Sequence, residues 1–153
     1  MKDTQIIQQI VNSWTAQNKL LTDIFNKHED WVYLDEVAPG RNKAISLLGH
    51  AIAINDSILP MFGISERLFP QIEISNLDNK TMPELRSYWD TLNKTLSEHF
   101  SKMTVDEWLS RHTKVSEEDF AIDPLRNKLN VLIGRSIHLS YHIGQLVFLT
   151  PKS

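Results

Sequence analysis

His138 and His142 stand four residues apart inside the otherwise apolar stretch RSIHLSYHIGQLVF, residues 135–148. On a helix, positions four apart differ by about 40° in azimuth and about 6 Å in rise, so both imidazoles project to one side, one turn apart. Two neutral imidazoles so placed can bind one divalent ion. Gln145 falls on the same face, about 20° from His138, and Arg135 lies at its edge. A plainer reading stands beside this one. A buried histidine pair can simply hydrogen-bond to backbone carbonyls, or to Ser140 and Tyr141, because buried polar groups are normally paired.

A metal reading needs a third ligand from another element. Of the six histidines, His50 lies in a second apolar run, residues 44–55, which carries no charge. Leu47 and Ile54 share its helical face, so His50 points into apolar surroundings. Three imidazoles hold Zn²⁺, Ni²⁺ or a similar ion and leave positions open for water or substrate. Asp56 and Glu98 are conceivable fourth ligands, but their ordinary reading is as solvated helix charges. Arg135 reads either as a helix-edge salt bridge or as a contact for a substrate carboxylate. Gln145 reads as a support for one of the histidines or as a hydrogen-bonding group for a ligand. His28, His99 and His112 fall near helix ends or in a polar loop and read as surface residues. Trp14, Trp31, Trp89 and Trp108 read as core and rim packing, with Trp14 or Trp89 as conceivable pocket walls.

These side chains need helices to position them, and helical periodicity dominates the sequence. The first predicted helix spans residues 4–32, with Ile7, Ile10, Val11, Trp14, Leu21, Ile24 and Phe25 at three-and-four spacing. Pro39-Gly40 breaks the chain after it. A second helix is expected over 42–62, apolar on nearly all sides and frayed or kinked by Pro60. Residues 63–80 read as an irregular crossover with short strand-like or turn pieces. Thr81 caps a third helix running to residue 102, with Glu84 completing a capping box and Pro83 in the first turn. Thr104 and Glu107 repeat that logic for a short helix over 104–110. Residues 111–122 read as loop, with SEEDF at 116–120 a solvated turn. A fourth helix is expected from Asp123 as cap and Pro124 as first residue to about residue 149, buried on most sides. Ser136, Ser140 and Gly144 form a small-residue ridge for close packing within the fold or for a dimer seam. Four long helices with longer connections imply an all-α four-helix bundle, one domain over residues 1–153.

Bulk composition narrows the function. A net charge of −3 gives no electrostatic case for nucleic acid or anionic lipid. The absence of cysteine excludes disulfides, thiolate metal sites and a cysteine nucleophile, and fits a reducing, cytoplasmic setting. The N-terminal MKDTQIIQQIVNSW has no apolar signal region, and neither apolar run reads as a membrane span.

The segment GRNKAISLLGHAIAINDSILPMFG, residues 40–63, followed by IHLSYHIGQLVFL, residues 137–149, resembles the DinB-like, YfiT-like helical-bundle superfamily. The specific pieces are Leu-Leu-Gly-His and the terminal histidine pair followed by Ile-Gly-Gln. The resemblance implies an up-up-down-down arrangement, frequent homodimers, and a three-histidine metal site that falls on His50, His138 and His142. Two alternatives for function stand beside the resemblance. One is a metal-dependent transferase that adds a low-molecular-weight thiol, such as bacillithiol or mycothiol, to an electrophile, with a related hydrolase as a close variant. The other is a non-catalytic, stress-related dimer with a structural, sensory or vestigial metal site.

Overall fold

Buried side chains recur along the first helix at Ile7, Trp14, Asn18, Leu21, Ile24 and Phe25, the spacing of one helical face. In the computed structural model, which describes residues 2–72 and 80–152, this helix is α1, Lys2–Phe25. It stops seven residues short of the expected end. The Tyr33 hydroxyl donates to the Ile24 carbonyl and accepts from the His28 amide, so a side chain from beyond the helix takes over an orphaned carbonyl. A 3-10 helix, Asp30–Leu34, follows. Gly40, at φ 73°, then makes the turn expected at Pro39-Gly40.

The remaining elements are α2 Ala44–Asp56, α3 Ile58–Met61, α4 Met82–Lys102, α5 Val105–Trp108, α6 Glu117–Ile122 and α7 Lys128–Leu146. The fold is all-α, with no strand among the described residues. As its composition predicts, α2 is buried on nearly every side. Residues 44–61 are long and apolar enough to cross a membrane, yet 67% of that segment is buried within the protein, the pattern of a core element. The regular helix breaks after Asp56, four residues before Pro60, whose ring would clash with that residue's carbonyl. Asp56 is buried, and its carboxylate accepts from the Leu68 amide (2.8 Å), the Phe69 amide (2.9 Å) and Arg67 Nε (3.2 Å). It therefore anchors the chain that leaves α3, and its expected reading as a solvated charge is corrected. Residues 63–72 form turns. The strand-like pieces expected further along fall partly on residues 73–79, outside the described residues.

Thr81 caps α4 through the Glu84 amide, and α4 buries Met82, Leu85, Trp89, Leu92, Leu96 and Phe100. Trp89 stacks on Phe25 and donates to Thr22 Oγ1 at 2.8 Å, which docks α4 onto α1. Thr104 and Glu107 form the expected capping box of α5. Two further expectations are corrected. Ser116 caps α6, a short helix with no buried residue where the sequence suggested loop. Asn127, not Asp123, caps α7: its Oδ1 accepts from the Asn130 amide at 2.9 Å, while the Asp123 carboxylate turns to the Leu125 amide.

Each of the four long helices packs against two others, α1 and α2 each lying against both α4 and α7. Inside, Asn55 Nδ2 donates to Asn18 Oδ1 (2.7 Å) and Asn93 Oδ1 (2.9 Å), a polar link across α1, α2 and α4. The burial expected for the last helix is corrected. α7 buries Leu132, Leu139, His142 and Leu146. Ile137 is 67% exposed, Tyr141 66% and, just beyond the helix, Phe148 82%. Ser140 and Gly144 are exposed too, and a Cβ built on Gly144 would meet nothing within 4 Å. Ser140 and Gly144 of the small-residue ridge therefore do not pack within this chain, while Ser136 is half-buried.

Candidate metal centre

α2 carries His50, and α7 carries His138 and His142 one turn apart, so the α2–α7 contact decides whether the three meet. They do. Ring centroids lie 5.2 Å apart for His50–His138, 4.9 Å for His50–His142 and 4.8 Å for His138–His142. One ring nitrogen from each falls within 4.8 Å of the others. Two nitrogens on a tetrahedral ion with bonds of about 2.1 Å lie about 3.4 Å apart, a difference that small side-chain rotations cover.

The hydrogen bonding of His142 tests the fit. Its Nδ1 lies 2.6 Å from Gln145 Oε1. An amide oxygen only accepts, so Nδ1 carries a proton, and in the neutral ring Nε2 is the nitrogen with the free lone pair. That Nε2 is buried and has no hydrogen-bond partner among the described residues. An imidazole lone pair left unpaired in the interior is costly. The plainer reading, in which backbone, Ser140 or Tyr141 satisfies the histidines, leaves this atom unexplained. Ser140 is exposed, and Tyr141 meets the His142 ring edge-on at 5.4 Å between centroids. Three imidazoles, one of them oriented through its other nitrogen, are the donor set that a borderline divalent cation takes.

The electrostatics agree. Burial pushes the His50 pKa down, helped by His142, His138 and Arg135. Burial also pushes His138 down, helped by His142 and Arg135. Both rings are therefore held neutral near pH 7, the form that ligates metal.

The other candidates lie elsewhere. Among the described residues, the histidine group contains no carboxylate. Asp56 is committed to residues 67–69, and Glu98 is exposed on α4. His99 is exposed, while His28 and His112 are half-buried away from the group. Trp14 and Trp89 are core side chains. Arg135 makes no salt bridge among the described residues. A cleft of about 450 Å³ lies beside the centre, lined by Val37, Ala38, Arg41, Tyr141, Gln145 and Phe148. Gln145 forms its wall and also holds His142. Sequence reasoning missed this cleft, whose only local signal is an aromatic on each side of Gln145.

Compared with protein-family models and with curated proteins, the chain matches none.

Proposed function

We propose that this chain is a divalent-metal protein of the DinB-like, YfiT-like type. In this reading its four long helices form an up-up-down-down bundle, and His50, His138 and His142 hold Zn²⁺ or Ni²⁺. We propose further that it transfers a low-molecular-weight thiol to an electrophile, with hydrolysis as the close variant. The observation that carries the metal reading is His142 Nε2, buried and unpartnered among the described residues beside the imidazoles of His50 and His138. Three protein ligands without a carboxylate support an open coordination position, as in catalytic rather than structural sites. His50 and His138 are both partly exposed, which supports access from solvent. When bound, a divalent ion would favour the thiolate form of an external thiol, the true nucleophile. The chain's own part would be to present three lone pairs, to hold the His142 proton on Nδ1 through Gln145, and to seat the co-substrate in the adjoining cleft. The lack of cysteine fits a reducing, cytoplasmic setting.

Two measurements test this reading. Elemental analysis of untagged protein should find about one divalent ion per chain, and His142→Ala should lose it while keeping its helicity. A thiol panel with a generic electrophile should then show turnover by the metal-loaded protein. Equal turnover by the triple His50/His138/His142→Ala variant would remove the transferase reading.

The second reading, a non-catalytic stress-related homodimer with a structural, sensory or vestigial site, draws its support from α7. Ile137, Tyr141 and Phe148 form an exposed apolar strip that a second copy could cover. Metal binding without turnover across the panel would favour it.

A further inference from the structure

Among the partly buried arginines, Arg135 is the exception. Arg67 pairs with Asp56, Arg86 reaches Asp30 and the Phe25 carbonyl, and Arg111 donates to the Val115 carbonyl. Arg135 has no carboxylate or carbonyl partner among the described residues. Its Nη2 meets only the sulfur of Met61 at 3.3 Å, a weak acceptor. Its Nε is buried and unpaired. A guanidinium cannot discharge itself by losing its proton, so a desolvated one without a counterion is a standing cost that an anion would remove.

Its position says which anion. Arg135 precedes His138 by three residues on α7, and its charge acts on both His50 and His138. A cation held by uncharged ligands would add to this positive field rather than neutralise it. The fork of the guanidinium matches the two oxygens of a carboxylate. We infer that Arg135 is a carboxylate-binding subsite adjoining the histidine centre, and that the ligand is a small bifunctional molecule. Its carboxylate goes to Arg135 while a thiol or similar donor goes to the metal. This rests on the metal reading above and narrows its substrate class to thiols that carry an acidic group.

The test uses two probes that differ in one group. Cobalt-loaded protein is titrated with mercaptoacetate and with 2-mercaptoethanol, following the visible absorption of the ion. The acid should bind about tenfold tighter or more, the factor expected for one charge-assisted pair. In Arg135→Gln that preference should vanish, while the protein still takes up cobalt and still binds 2-mercaptoethanol. Equal affinities in the parent protein, or a preference that survives Arg135→Gln, would overturn the inference. A metal-independent arm separates this failure from failure of the metal reading. In metal-free protein, acetate should give a saturating shift of the Arg135 Nε–H resonance, and absence of that shift overturns the subsite whether or not cobalt binds.

Discussion

Replacing Gln145 with methionine keeps the length of the side chain and removes its acceptor. The contact at stake is the 2.6 Å bond from His142 Nδ1–H to Gln145 Oε1. In metal-free protein, losing it is partly recoverable, because the ring can change tautomer or turn. With a cation on Nε2 the ring can do neither. The penalty for an unpaired buried donor, about 1–3 kcal/mol, therefore falls mainly on the loaded state. That corresponds to a loss of roughly 10- to 100-fold in metal affinity, the range found when outer-shell partners are removed. Gln145→Glu should act in the opposite direction, since a carboxylate accepts about twice as strongly as an amide oxygen. Competition against a chromogenic chelator, on untagged protein, reads both variants. Unchanged affinity in Gln145→Met, or weaker binding in Gln145→Glu than in Gln145→Met, would refute the argument that Gln145 aims His142.

Asp56→Ala should destabilise the protein in urea unfolding by about 1–3 kcal/mol for each of the Leu68 and Phe69 amides that lose the buried carboxylate as acceptor; a change near zero would mean that residues 67–69 do not depend on this anchor. In metal-free protein, the His50 and His138 imidazoles should titrate below the ordinary 6.5 when followed by NMR. Between their lowered folded pKa values and 6.5 the unfolded chain binds more protons, so stability should fall as pH drops through that window and be insensitive to these groups above it; a urea midpoint that rises on acidification would contradict this. If a second copy covers the α7 strip, Ile137→Asp with Phe148→Asp should turn a dimer into a monomer by light scattering, while leaving metal stoichiometry intact.

The helices that could be read correctly were those whose signals are local. Thr81, Glu84 and the apolar spacing of α4 lie within one stretch of chain, as do Thr104 and Glu107 of α5. Boundaries set from a distance were misread. The end of α1 depends on Tyr33, nine residues beyond the carbonyl it captures. The start of α7 was a contest between two capping residues, Asp123 and Asn127. Contacts with another segment accompany the outcome: Lys128 donates to the Ser110 carbonyl, and Arg111 bridges to Asn127. α6 carried a cap at Ser116 and acidic residues in its first turn. It lacks a buried face, so periodicity gave no reason to expect it.

The site was legible to the extent that helix phase is legible. Four-residue spacing puts His138 and His142 on one side, and an apolar run places His50 in the core. What the sequence could not supply was the direction of solvent around α7. A helix apolar on most sides looks wholly buried, because periodicity has no polar face from which to take a bearing. In the fold, Leu132, Leu139 and Leu146 turn inward while Ile137 and Tyr141 turn outward, and the histidines lie between these two faces. That border position suits the proposed metal site. It is buried enough to lower the pKa values of His50 and His138 and to hold His142 against Gln145, and exposed enough for His50 and His138 to meet a ligand from solvent. It also ties the outward face to the site, since Tyr141 and Phe148 wall the cleft that Gln145 shares. A second copy seated on that face would therefore form part of the cleft's surroundings. Breaking such a dimer should then change ligand affinity while the three-histidine stoichiometry stays the same.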